Sequence, residues 1–507
     1  MRHHAAARLG VAAAAALALA LSFTSCAPDQ QASGGESDTL VLGVVGNSKD
    51  EVQPYTTNYS SSGAAIRFNV YDSLTRYDTD GTVQLALAES LTPNETLDVW
   101  TVKLRPDLKT HDGGDFNADD LVESVSYIVD PENQYPAATQ IDYITEDGIE
   151  KIDDLTVEFH LTRPVGTFAE AWANPYLVLR GLDDEGNSVG TGPFKIESFT
   201  AGQEARLVRF DDYWGEKPGF TNLTMAFMTD QDAITNALRA GQIDVSYSVP
   251  FTDVESLSSA DGIEILTSES AAYPIMTMRV DIEPFNDPRV QEALRLVVDR
   301  EEIAENAYGG FATIANDYLG NNSACGDPDV PQREQDIDRA KELLQEAGQE
   351  NLEFELVTDA AFPGMMEMAQ LYSQQAAEAG VTITVRKLDV ASFLNQWLEW
   401  PFLISRSSSP YEISARTHFM PGGDENASHF DNPEFTALFE QMQATADTDR
   451  QCELITQMRE IEWREGSGNI VPTYPQTITA YRDTVKGLQP DLFGRTSINY
   501  AGVTLEK

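Results

Sequence analysis

The chain has 507 residues, 41% of them apolar and 9% aromatic, values of a folded globular protein and not of a disordered one. That length exceeds one ordinary core and predicts two or three domains. Its 34 basic residues against 82 acidic ones leave a formal charge of −48, which repels nucleic acid and anionic lipid and argues against both as partners.

At the start of the chain, Arg2 and Arg8 flank an apolar run over residues 9–23, shorter than the ~20 residues a membrane-spanning helix needs. A charged start, a short apolar core and small residues before a break describe an export signal. The stretch Phe23-Thr24-Ser25-Cys26 resembles the lipobox of bacterial lipoproteins, with Phe in place of the usual Leu and Ser in place of Gly or Ala. Residues 1–25 are therefore expected to be a lipoprotein signal peptide and Cys26 a lipid anchor. Residues 26–38, rich in Gly, Ser and Gln, are expected to be a flexible tether. A plain secretory signal is the alternative. Export leaves Cys325 and Cys452 as an even pair in an oxidising compartment, which suggests one disulfide, against two separate buried thiols.

Residues 39–45 (TLVLGVV) predict a buried strand. Residues 96–104 and 155–161 alternate apolar and polar, as half-buried strands do, and residues 205–210 and 223–228 follow the same pattern. Asp287-Pro288 opens a helix by capping and a first-turn proline, with Val290, Ala293, Leu294, Val297 and Val298 on one face. Ile337, Ala340, Leu343, Leu344 and Ala347 make a second stripe, stopped by Gly348. Residues 352–398 read strand, helix (364–379), strand, helix (390–398), which implies a parallel pair with a right-handed crossover. A two-lobed α/β body with mixed sheets follows, with ligand held between lobes.

Letters that mimic chemistry are few. Gly186-Asn187-Ser188-Val189-Gly190 matches a nucleophile elbow in spelling, but it stands in a loop before a strand-like segment, where the required strand–turn–helix is missing. Asp78, Asp80 and Gly81 lack the downstream acid of a calcium loop and predict a turn. His111, Asp112 and Asp115 surround Gly113-Gly114, a tight turn in which they are expected to point outward. His418 and His429 stand eleven apart without a second cluster. No catalytic residue, metal or cofactor is expected.

Several blocks resemble, in family order, the family 5 solute-binding proteins of ABC importers, the group for peptides, nickel complexes and related solutes. They are VYDSLTRYDTDGTVQLALAESL (70–91), WTVKLRPDLKTHDGGDFNADDLVESVSYI (100–128), GTGPFKIESF (190–199) with VRFDDYWGEKPGF (208–220), and DAITNALRAGQIDV (232–245). PFNDPRVQEALRLVVDREEI (284–303), DIDRAKELLQEAG (336–348) and NASHFDNPEFTALF (426–439) continue the order. The resemblance implies a periplasmic-binding-protein-like fold of the class II type, cluster C, with mixed sheets and an extra subdomain. It implies a first lobe from 39–81, 190–279 and 475–507, an accessory subdomain at 82–189 and a second lobe at 280–474. The implied function is capture of a peptide or small solute and delivery to ABC permease subunits, as a monomer outside the cytoplasm, without chemistry on the ligand. A nickel-complex binder and an exported hydrolase are the alternatives.

One departure from the family bears on the ligand. Peptide-binding members often carry a Trp-x-x-Asp-Tyr-x-Asp-Pro-like stretch whose aspartate pairs with an α-ammonium group. Here the corresponding FLISRSSSPYEISARTHF (402–419) has no aspartate; Ser407, Ser408 and Ser409 stand in its place and Arg406 replaces an aromatic. Arg279 stands where the family commonly has Asn. Arg406, Arg279 and Arg416 are thus candidates for gripping a carboxylate or phosphate, against ordinary pairing with surface acids. Glu412 is the candidate that would keep a free-amine peptide possible, and Trp397, Trp400, Tyr411 and Phe419 are candidate apolar walls.

Overall fold

A computed structural model describes residues 38–506, apart from residues 56–60, 79–80, 175, 271, 321–324, 360–361, 408 and 491–498. The signal, Cys26 and the tether up to residue 37 lie outside the described residues, as does Ser408. Among the described residues, no helix is long and apolar enough to cross a membrane.

Two sheets organise the chain. The first has seven strands in the order Phe194–Thr200, Glu204–Arg209, Asn222–Met228, Thr39–Val45, Val245–Ser246, Thr477–Arg482 and Ile263–Ser268. Thr39–Val45 lies at its centre, parallel to both neighbours, and its Leu40 and Leu42 are fully buried. A strand covered on both faces needs a near-continuous apolar run, which TLVLGVV supplies. The second sheet has five strands in the order Thr382–Lys387, Glu353–Thr358, Phe402–Ser407, Tyr273–Met278 and Asn469–Ile470. Glu353–Thr358 pairs in parallel with Thr382–Lys387, joined through the helix Met365–Glu378, as the strand–helix–strand pattern predicts. That last helix, Val390–Leu394, is shorter than the expected 390–398.

Tyr273–Met278 pairs with Phe402–Ser407 in the second sheet, although the expected boundary assigned residues up to 279 to the first lobe. All six of its residues are buried, and only partner strands reveal which sheet such a run joins. Among the described residues, the chain therefore crosses between the sheets twice, after Ser268 and again before Thr477. On one face of the second sheet, the helices Pro288–Leu296, Arg300–Asn306, Ile337–Glu346 and Met365–Glu378 close a core around Met276, Leu356, Phe402 and Ile404. Asp287 caps the first of these helices by accepting from the Arg289 N–H. On the far side, the helix Thr448–Ile461 is tied by the Cys325–Cys452 disulfide.

A third, four-stranded sheet (Ala88–Pro93, Val99–Leu104, Thr156–His160, Ile149–Lys151) has its own core, with the helix Ala118–Val129 on its inner face. Asn117 and Asp120 form a capping box at the start of that helix. Gly190 and Gly192 pass over the end of the helix Ser61–Val70. A Cβ at Gly190 would sit 1.8 Å from the Val70 carbonyl oxygen, and Gly192 N–H donates to that oxygen at 2.9 Å. The GTGPF motif is thus a close backbone crossing. His111 departs from its expected outward pose: its Nε2 donates to the Gly192 carbonyl at 2.9 Å and its ring meets Phe210 edge-on. Burial pushes its pKa down to about 4 and keeps the imidazole neutral.

Candidate functional site: the cleft between the sheets

Residues of both crossings border one pocket that is partly open to solvent. Ala272 and Tyr273 line it from the first crossing, and residues 475–478 from the second. Tyr247, Ser248 and Phe251 form the wall beside the seven-stranded sheet; Phe362, Met365 and Arg406 form the wall beside the five-stranded one. The second wall follows from topology. Glu353–Thr358 and Phe402–Ser407 run parallel, so the loop carrying Phe362 and the residue Arg406 both stand at carboxyl ends of strands, where open α/β sheets leave a crevice. Period two along Phe402–Ser407 puts Phe402 and Ile404 in the core and sends Arg406, on the same face, past the core's edge into the cavity.

Arg406 has the least committed guanidinium of the three candidates. Its centre lies 4.6 Å from the Phe362 ring centroid and its Nη1 is 3.7 Å from the Asp359 carboxylate, an ion pair beyond hydrogen-bond length. Among the described residues it makes no hydrogen bond through its five N–H donors. Arg279, by contrast, is held by Asp281 at 2.7 and 3.0 Å and by Glu399 at 2.9 Å, and it does not line the cavity. Arg416 is bonded by Asp142 and by the Thr139 carbonyl at 2.8 Å. For these two, pairing with the chain's own acids is what the structure shows.

The other candidates lie away from the cavity wall. Tyr411 is fully buried, with its hydroxyl 2.5 Å from Glu462 and Arg459 over its ring; Phe419 shares that core. Trp397 and Trp400 pack around Phe393 and Leu403. The Ser409 carbonyl accepts from Ser414 Oγ at 3.2 Å. Glu412 is close enough to Glu170 of the four-stranded subdomain for its charge to act on it. Burial pushes the Glu170 carboxyl up to about 7, with the Glu412 charge adding to the rise, and burial raises Glu412 as well. Ser188 sits in a two-strand hairpin and its Oγ accepts from Arg180 at 2.8 Å, so no strand–elbow–helix surrounds it. His418 is engaged by Glu425 and His429 by Asp281, in separate pairs.

The first-sheet wall had no signal in the sequence beyond the aromatic spelling of SYSVPF, because its residues meet Arg406 only through folding. Residues 82–414 match the family described as bacterial extracellular solute-binding proteins, family 5. The chain belongs to that family. As a family 5 solute-binding protein it serves capture of a solute for an ABC importer. The glutathione-binding protein GsiB of Pectobacterium atrosepticum is 28% identical over 357 residues, 68% of each chain. Among solved structures, the ABC transporter-associated DppA of Helicobacter pylori in complex with the peptide STSA superposes with a TM-score of 0.81 at 20% identity, covering 92% of this chain and 98% of that one. NikZ of Campylobacter jejuni with Ni(L-His) gives 0.82 at 20% identity, covering 92% and 99%. These likenesses show the two-lobed fold of this family 5 protein.

Proposed function

We propose that this family 5 protein captures a small peptide-like solute bearing a carboxylate, and that Arg406 grips that group. The observation that carries the proposal is the cavity-lining guanidinium of Arg406, stacked on Phe362 and free of hydrogen bonds among the described residues. A planar guanidinium offers paired donors that match a carboxylate, and a mostly apolar surround strengthens the contact. The glutathione-binding relative supports the same class, since glutathione is a peptide with two carboxylates. The division into lobes is part of the proposal, with the crossings after Ser268 and before Thr477 as hinges.

Cys26 is the proposed lipid anchor, which would hold a monomer at the outer face of the cell membrane beside its permease. Support comes from the lipobox-like residues 23–26 and the polar tether after them. Native mass spectrometry of the protein purified from its cells, followed by denaturation, tests the ligand. One defined carboxylate-bearing solute is expected. A broad ladder of oligopeptides, or a ligand without an acid group, would overturn the assignment.

A further inference from the structure

On the outer face of the four-stranded sheet, far along the chain from any cavity residue, three side chains converge. The strands Ile149–Lys151 and Thr156–His160 are antiparallel with Glu150 directly opposite Glu158. Period two sends Val157 and Phe159 into the core and places Glu158 and His160 together on the solvent side. One ligand atom from each of Glu150, Glu158 and His160 lies within 4.8 Å of the others. His160 Nε2 is 3.4 Å from Glu150 Oε2 and 3.9 Å from Glu158 Oε2.

We propose that His160, Glu150 and Glu158 bind a divalent transition-metal ion of the zinc type. Zinc–nitrogen and zinc–oxygen bonds of ~2.0–2.1 Å in tetrahedral geometry put neighbouring donors about 3.3 Å apart. The His160–Glu150 distance already fits, and a small rotation of Glu158 brings in the third donor. Imidazole with carboxylates is a donor set for zinc or nickel, whereas calcium and magnesium favour oxygen alone. Thr101 Oγ1 donates to Glu158 Oε1 at 3.3 Å, which orients that carboxylate so that Oε2 faces His160.

The sheet also lacks something a cation would supply. Like charges directly opposite each other destabilise a strand pair. Among the described residues, Glu150 and Glu158 form ion pairs only with His160. Lys151 on the first of these strands is committed to Asp119 and Asp154, and Lys103 on the neighbouring strand Val99–Leu104 to Glu89. Three protein donors on paired strands hold their spacing better than loop residues and leave coordination positions for water.

The test is calorimetric titration of the chelator-stripped protein with Zn²⁺, with Co²⁺ absorption as a report on the ligand field. One saturable Zn²⁺ site above the background of surface carboxylates is expected. It should be lost in His160→Ala and weakened at least tenfold in Glu150→Gln, with the circular dichroism spectrum of both variants unchanged. If His160→Ala binds Zn²⁺ as the wild type does, or the wild type shows only diffuse weak binding, the three side chains form an ordinary surface ion pair and the proposal falls.

Discussion

Arg416, on the helix Tyr411–Phe419, pairs with Asp142 of the four-stranded subdomain, and its Nε donates to the neighbouring Thr139 carbonyl. The contact is one of several that bring the subdomain against helices of the second half. Gly166 N–H donates to the Gln443 carbonyl at 2.5 Å, and Thr139 Oγ1 lies 3.5 Å from Asp424. A residue that looked like a ligand-binding arginine is instead a clasp between two parts of the molecule.

Weakening that clasp should open the protein. A Cβ at Gly166 would stand 1.9 Å from the Thr445 carbonyl oxygen, so Gly166→Ala forces the two surfaces apart. Gly166→Ala and Arg416→Ala are each expected to enlarge the radius of gyration by small-angle scattering and to weaken solute binding several-fold. Unchanged scattering in both variants would show that these contacts do not hold the two parts together.

Arg406→Ala should cost the protein its solute and little of its stability. Loss of a charge-assisted pair of about 1.5–3 kcal/mol corresponds to roughly ten- to a hundredfold in affinity. Arg279→Ala serves as the control, because its partners are Asp281 and Glu399 and it lies off the cavity. Titration calorimetry with the co-purified solute separates the two. Equal affinities for Arg406→Ala and wild type would remove Arg406 from the site.

Glu170 makes the subdomain contact sensitive to pH. Its folded pKa, about 7, is raised above the usual carboxyl range, so the folded protein binds this proton more tightly than the unfolded chain does. Its contribution is present at pH below about 4.5 and is lost as pH rises through about 7. Glu170→Gln is therefore expected to stabilise the protein at pH 8 by up to about 3 kcal/mol, seen as a higher melting temperature, and to change little at pH 5. Thermal scans at the two pH values check the sign, and an equal shift at both would mean that ionisation is not involved.

Asp317 is a buried anchor of the second half. Its Oδ2 accepts from Arg300 at 2.7 Å and Arg333 at 2.8 Å, and its Oδ1 from the Val471 N–H at 3.1 Å, with no exposed side-chain surface. Asp317→Ala strands two buried guanidinium groups and is expected to cost about 3–5 kcal/mol. Denaturant unfolding measures it; a loss below about 1 kcal/mol would mean that water or rearranged partners take over.

Local chemistry made much of this protein legible in its sequence. The buried run TLVLGVV, the cap at Asp287 and the strand–helix–strand of residues 352–398 are written in neighbouring residues, because strand and helix periods and caps depend on spacing along the chain. The ordered family motifs are legible for a related reason: each is a local feature, a capped helix such as Pro288–Leu296 or a close crossing such as Gly190 over Val70. Tertiary structure alone decided the site. Tyr273–Met278 reads as apolar in either sheet, and only pairing with Phe402–Ser407 assigns it to the second one. Three arginines with the same chemistry were indistinguishable in sequence. Asp281 and Glu399 engage Arg279, Asp142 engages Arg416, and Arg406 reaches a cavity whose far wall comes from residues 247–251. Charge is a property of the residue, but whether a charge is already satisfied depends on neighbours such as Glu399 and Asp142, which folding brings from more than a hundred positions away.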